Sequence, residues 1–352
     1  MKVHYILTDY RSFRRTGLDY IRALKERGAH LVETLDEADV VIIHDEAFRL
    51  PSYYRALPIL RQRYVITYAV CESTVVAPDR LRWLGYVDEI WTSSTYCQTA
   101  LAAAGRPVTV IPHIVEPLEA DDAAAERLRS RLGLPADCFV FYTIGLLEER
   151  KNIEAGIRAF AKVHAADVCY IVKSSLPLAA EMRAMPGVLN PMDEFSDHDI
   201  AALHRVGHCY VSPHCAEGWG LCMSDAMARG NLVLATGYSG NMDFMDDRSA
   251  LLARYSLETI RQPLSRRRLG FDPAATEPQW AYVDESDLGK LMMRARWYWD
   301  DLAPLREEGR RRMADYSAAR VGDLMMGRLD AIAAGLKSPQ VALGPQLASP
   351  AR

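Results

Sequence analysis

No apolar stretch in this 352-residue chain is long enough to cross a bilayer; the longest runs, such as Val40-Val-Ile-Ile43, are strand-sized. A strong charge of one sign is missing as well. Forty-two Lys and Arg stand against 46 Asp and Glu, and a net charge of -4 gives no reason to expect nucleic acid as a partner. Paired cysteines are also missing. The seven cysteines are odd in number and form no C-x-x-C pair, so they read as reduced thiols in a cytoplasmic protein. His208-Cys209, His214-Cys215 and Cys222 match no common zinc spacing, and no metal or other cofactor is expected. Residues 1–8 lack the apolar length and the cleavage site of a signal peptide and read as a first strand.

What the chain does contain is an ordinary globular mixture, 49% hydrophobic and 25% charged. Its length exceeds the size at which a single core keeps growing, so two domains are expected. Short apolar runs alternate with amphipathic stretches: 2–8, 30–34, 38–43, 64–69, 89–91 and 108–111, then a second series at 139–144, 168–173, 209–212, 232–236 and 250–253. Such alternation predicts parallel sheets covered by helices, and two series predict two doubly wound domains. The boundary falls between Pro112 and Cys138. The expected division is an acceptor domain over 1–116 and a donor domain over 117–315. A C-terminal helix over 316–335 is expected to pack back on the first domain, with a disordered, Pro- and Ser-rich tail over 336–352. Doubly wound sheets bind ligands at the carboxyl ends of their strands, so two facing domains would share one cleft.

The stretch from Ser212 to Gly230 carries the most chemistry. Cys209–Ser212 reads as a strand end, and Leu221–Arg229 reads as a helix stopped by Gly230. Gly218 and Gly220 lie at the turn between them. Such a turn puts backbone N–H groups at the positive end of a helix dipole, where a phosphate binds. Glu217 and Asp225 would repel that phosphate but suit hydroxyl groups. The ligand they describe is a phosphate flanked by polyols, a nucleotide sugar. A second loop, Gly145 to Asn152, places Arg150 and Lys151 at a helix start. Cations there oppose the dipole unless an anion is present, so they fit a diphosphate leaving group. A third strand-to-helix turn holds Ser239, Gly240 and Asn241. Asp197-His-Asp199 has the letters of a metal-binding D-x-D but follows Ser196 as a helix cap would.

These segments together resemble the retaining glycosyltransferases of family 4. Glu217-Gly-Trp-Gly-Leu followed by Asp225-Ala-Met-Ala-Arg-Gly is similar to the family's E-x7-E signature, and Arg150-Lys151-Asn152 resembles its basic phosphate element. Ser239–Met245, Ile111-Pro-His113 and Glu89–Ser94 resemble further family segments. The likeness is dense over 138–255, looser over 64–115 and weak before 64. It implies an α/β GT-B architecture of two facing Rossmann-like domains. It also implies metal-independent, retaining transfer of a hexose-type sugar to an acceptor hydroxyl of a glycan, lipid-linked saccharide or small molecule. By the resemblance, Glu217 would contact the donor sugar and Asp225 the ribose, while Arg150, Lys151 and the backbone at Gly220 and Leu221 would meet the diphosphate. Gly145, Gly218, Ser239, Gly240 and Asn241 would complete the donor site. Two features depart from the family. Asp225 replaces a glutamate, and Leu146 stands where an arginine often follows Gly145.

On the first domain, Gly17, Glu72 and His113 are the acceptor-side candidates; Arg14–Gly17, His44–Glu46 and Cys71–Ser73 all follow apolar runs. Base recognition is expected from backbone near Val188–Pro191. The stretch from Arg49 to Tyr64 mixes cations with aromatics. It reads either as a solvated face or as a face resting on an anionic membrane, at the inner leaflet. Two other functional readings stay open: an epimerase or phosphorylase on a similar double fold, and an inert nucleotide-sugar binder.

Overall fold

The computed structural model describes residues 1–9 and 11–336; of the tail expected over 336–352, residues 337–352 lie outside the described residues. Two parallel six-stranded sheets organise the chain. The first contains β1 (Lys2–Leu7), β2 (His30–Leu31), β3 (Val40–His44), β4 (Tyr64–Tyr68), β5 (Glu89–Thr92) and β6 (Val108–Val110), in the order β2-β1-β3-β4-β5-β6. The second contains β7 (Phe139–Ile144), β8 (Val168–Lys173), β9 (Val188–Leu189), β10 (Cys209–Ser212), β11 (Leu232–Thr236) and β12 (Leu251–Ala253), in the order β12-β11-β10-β7-β8-β9. These are two Rossmann-like domains facing each other, the GT-B architecture.

Helices on both faces explain why β3, β10 and β11 are buried along their whole length and carry continuous apolar runs instead of alternation. Local chemistry sets the helix ends. Ser196 accepts from the Asp199 N–H while Asp199 accepts from the Ser196 N–H, a complete capping box for the helix Asp197–Val206. That use of Asp199 accounts for the D-x-D letters. Asp121 and Asp284 are simple N-caps for Asp122–Leu132 and Glu285–Trp297, their side chains accepting first-turn N–H groups.

The helix Ala318–Leu336 returns to the first domain and lies against the helix Arg11–Glu26. Its Arg328 makes a two-point ion pair with Glu89, at 2.8 and 2.7 Å. Glu89 is fully buried at the start of β5; burial raises its carboxyl, and Arg328 with Thr109 and Tyr64 more than reverses this. No helix among the described residues is long and apolar enough to cross a membrane.

One element has no counterpart in the sequence reading. Residues 255–283 form an antiparallel hairpin, β13 (Tyr255–Thr259) with β14 (Gln279–Val283), whose long connection holds the short helix Pro263–Arg268.

Candidate functional site

Strand order decides where a site can form. In the second sheet the crossovers leave in opposite directions from β7 and β10, which are neighbours. The loops after these two strands therefore part and leave a crevice at their carboxyl ends. The β7 loop carries Arg150 and Lys151, and the β10 loop carries Glu217. The structure brings all three together. Lys151 Nζ lies 2.5 Å from one Glu217 oxygen and Arg150 Nη1 lies 3.1 Å from the other. Burial raises the Glu217 carboxyl, but Lys151 and Arg150 outweigh burial and hold it at about 2. Glu217 is therefore a fixed carboxylate across the physiological range.

Gly220 caps the helix Leu221–Ala228 with φ +107°, a conformation that a side chain resists. A Cβ there would also fall 2.2 Å from the Met223 methyl. Leu221 opens the helix; the Met223 and Ser224 N–H groups close on the Gly220 carbonyl at 2.9 and 3.1 Å, and the Leu221 and Cys222 N–H groups lie ahead of the helix's own bonding. Asp225 follows one turn later and is buried. Its partner comes from the other domain: Arg15 Nη2 reaches its carboxylate at 3.4 Å. Burial raises the Asp225 carboxyl, against the pull of Arg15 and Arg229.

The third loop braces the second. The Glu217 N–H donates to Ser239 Oγ at 2.8 Å, and the Gly240 N–H donates to the Glu217 carbonyl at 2.9 Å. A Cβ on Gly240 would lie 2.1 Å from the Gly218 carbonyl oxygen, so only glycine allows this approach. Ser239 takes a positive φ of 78° to make the turn. Asn241 is fully buried, with its amide bonded to the Thr236 carbonyl and to His214. Ser239, Gly240 and Asn241 thus hold the Glu217 loop in place. Gly218 faces the first domain: its carbonyl accepts from Ser93 Oγ at 2.7 Å. Gly145 lies at the end of β7 beside the aliphatic part of Lys151.

On the first domain the three acceptor-side candidates separate. Glu72 reaches into the cleft, and its carboxylate lies 3.1 Å from Arg150, which it shares with Glu217. Burial pushes the Glu72 carboxyl up, outweighing Arg150. Gly17 lies inside the helix Arg11–Glu26, buried against Leu7 and His44. His113 is buried in a polar aromatic cluster. Tyr20 and Tyr68 hydroxyls meet its Nδ1 at 3.1 and 3.4 Å, and His44 stacks on Tyr68 at 4.5 Å. Burial holds both His44 and His113 at about 3, so both are neutral. In the aromatic and basic stretch, Tyr54 is buried, Tyr53 donates to Asp45 at 2.7 Å, and Phe48 is exposed beside Trp83.

A cavity of about 390 Å³ opens at the end of β9, lined by Arg131, Leu132, Leu189, Asn190, Pro191 and Asp193. Asn190 has its amide committed to Leu178, Val172 and Ser174. Sequence reasoning did not find Ser93, Trp280 or Tyr282. The alternation Trp280-Ala-Tyr282-Val was a legible strand signal for the last two.

No family model matches the chain. Among characterised proteins it is similar to the serotype-specific mannosyltransferase WbdA of Escherichia coli, 23% identical over 235 residues, covering 61% of this chain and 27% of that protein. It is also 28% identical over 162 residues to the 2-deoxystreptamine glucosyltransferase of Streptomyces kanamyceticus, covering 43% and 42% of the two chains. The chain thus spans well under half the length of these relatives in the matched region. Among solved structures, Anabaena HepE in complex with UDP and glucose superposes with a TM-score of 0.69 at 13% identity, over 94% of this chain and all of that one. The sucrose-phosphate synthase of Thermosynechococcus elongatus superposes with 0.64 at 15% identity, over 96% and 100%. These structures share the fold, and the sequence relatives are glycosyltransferases.

Proposed function

We propose that the chain is a retaining glycosyltransferase that moves a hexose-type sugar from a nucleotide-sugar donor to an acceptor hydroxyl without a metal ion. One observation carries this reading: Glu217 sits between Lys151 and Arg150 at the carboxyl edge of the second sheet, beside the Gly220 helix start. Two cations and a helix N-terminus suit a diphosphate, and the carboxylate suits sugar hydroxyls. In this reading Arg150 and Lys151 stabilise the leaving diphosphate, Glu217 holds the donor sugar and Asp225 the ribose. Gly220 and Leu221 present backbone N–H groups to the phosphates. The cavity at β9 takes the base.

Front-face attack is the proposed route, with no nucleophile assigned among the described residues. The bond from the anomeric carbon to the diphosphate oxygen breaks, and the acceptor oxygen bonds that carbon on the same face. The acceptor's proton passes to the departing diphosphate. The protein's part is orientation and charge stabilisation. Glu72, across the cleft, is the proposed acceptor-side group. The acceptor is a saccharide or small molecule, and the cationic aromatic stretch with exposed Phe48 supports docking at an anionic membrane face when that acceptor is lipid-linked.

The donor is identified by melting the protein with UDP, GDP and dTDP and their hexose conjugates, since a specific ligand raises the midpoint by mass action. With the donor so found, Lys151→Ala should lower turnover about 10³-fold while shifting the melting midpoint by less than about 2 °C. EDTA should leave turnover unchanged. Near-normal transfer by the Lys151 variant would sink the assignment.

A further inference from the structure

Three consecutive residues of β14 each hold a different loop of the cleft. The Trp280 indole N–H donates to the Glu72 carbonyl at 2.5 Å. The Ala281 N–H donates to the Cys215 carbonyl at 3.0 Å, two residues before Glu217. The Tyr282 hydroxyl donates to a Glu149 carboxylate oxygen at 2.7 Å, and Glu149 opens the short turn that carries Arg150 and Lys151. The same Glu149 carboxylate also accepts from the Gln262 N–H at 3.1 and 3.2 Å. Thus both ends of the hairpin's long connection grip the charge cluster.

The grip is solid because its anchors are buried. Trp280 is 2% exposed, and Ile260 and Cys215 are fully buried, in a small apolar cluster separate from both domain cores. The hairpin also crosses the cleft. The Gln279 N–H donates to Thr74 Oγ1 at 3.0 Å, and Gly270 packs on Ala77, both in the loop that presents Glu72. Arg150 Nη1 meets Glu72 and Glu217 at 3.1 Å each, and these carboxylates come from different domains. Ser93 on the Gly218 carbonyl and Thr95 on Asp243 also join the two edges, and the hairpin adds a contact to each of the three loops.

We propose that the 255–283 hairpin is a clamp that sets the register of the Arg150–Lys151 turn, the Glu217 loop and the Glu72 loop across the cleft, with Trp280 and Tyr282 as its positioning residues. Its consequence for catalysis rests on the transfer reading above. Misplaced cations stabilise a developing diphosphate less while still binding the ground state, so the clamp acts on kcat more than on KM.

The test compares Tyr282→Phe, Trp280→Phe, Glu72→Gln and the double variant W280F/E72Q with the wild type. Leu257→Thr, on the exposed strand of the hairpin, is the control. Hydrolysis of UDP-glucose and of GDP-mannose, each without acceptor, gives kcat and KM; amide hydrogen exchange of the free protein reports the loops. Tyr282→Phe should lower kcat about tenfold with KM changed less than about twofold. W280F/E72Q should be no slower than E72Q alone, because both act through one contact. Exchange should quicken at 70–77 in Trp280→Phe and at 148–152 in Tyr282→Phe, and at neither in the control. Unchanged exchange at both loops overturns the clamp, as does unchanged kcat in both variants of an enzyme that consumes either donor. If the wild type consumes neither, the transfer reading fails for these donors, and the exchange result alone decides the clamp.

Discussion

The two domains present the same kind of edge to the cleft and fill it with opposite chemistry. Behind Glu72 and Arg15, the first domain's edge is built on a neutral cluster. Tyr5, Tyr20, His44, Tyr68 and His113 satisfy one another, with Tyr5 on His44 at 2.7 Å and Tyr20 on Tyr68 at 3.0 Å. Burial keeps the imidazoles uncharged and the phenols protonated. The second domain's edge is ionic, with Arg150, Lys151 and Glu217 in contact and Asp225 one helical turn away. A buried ion pair returns little net stability against well-packed neutral groups. A neutral network is what a fold uses to hold a shape. Ions at a cleft are what it keeps to exchange partners with a charged ligand. The contrast is between a buried neutral cluster behind the first edge and an ionic contact at the second.

The comparison breaks most sharply at Glu217. Glu217→Gln keeps the shape and removes the charge that occupies Lys151 and Arg150. Turnover should fall about 10³-fold, while calorimetry should show the bound nucleoside diphosphate held more tightly, since Lys151 is released and Arg150 loses one of its carboxylate partners. Weaker diphosphate binding would mean that the carboxylate does not compete with the anion.

Both domains should answer to pH through histidines that burial holds low, His44 and His113 behind the first edge and His204, His208 and His214 in the second domain. His44 and His113 titrate near 3 in the folded protein and near 6.5 when unfolded. Between those values the unfolded chain binds the protons and the folded chain does not, so stability rises with pH across this window and falls on acidification below 6.5. Each histidine contributes up to about 1.4 kcal/mol per pH unit. Glu217, held at about 2 against an ordinary 4.5, has the same sign but only below 4.5. Denaturant midpoints from pH 7 to 4 should therefore decline, and His44→Phe should flatten that slope while lowering stability at pH 7. An unchanged slope would show that His44 is not buried as a neutral group.

The smallest effect is expected where the two edges touch through Arg15 and Asp225. Arg15 is 54% exposed and the contact is 3.4 Å, so the pair contributes at most about 1 kcal/mol. Arg15→Ala should change the melting midpoint little, and the difference from wild type should vanish in high salt. A large, salt-independent loss would make Arg15 a structural part of the cleft.

Much of this was legible from residues alone. The alternation of apolar runs and amphipathic stretches marked both parallel sheets, and Gly218, Gly220, Glu217, Arg150 and Lys151 stood out because glycine turns and cations at helix starts have few other uses. The acceptor side was less legible. Gly17 was a candidate because its segment follows an apolar run and His113 because Ile111-Pro-His113 resembles a family segment; the fold buries Gly17 against His44 and His113 among the tyrosines. Ser239 and Asn241 looked like donor-site groups, and their bracing of the Glu217 loop was not legible locally. The hairpin escaped notice because the alternating Tyr255 and Leu257 of β13 face solvent rather than a core, and its partner strand lies beyond a long connection.

Local sequence thus determined the elements, the helix caps and the phosphate-type turns, because period, capping and glycine conformation are properties of a few neighbouring residues. Only the tertiary structure decided the partners. Lys151 meets Glu217 across 66 positions and Trp280 meets Glu72 across 208. Contacts at such separations follow from strand order and domain closure, which no short window of residues encodes.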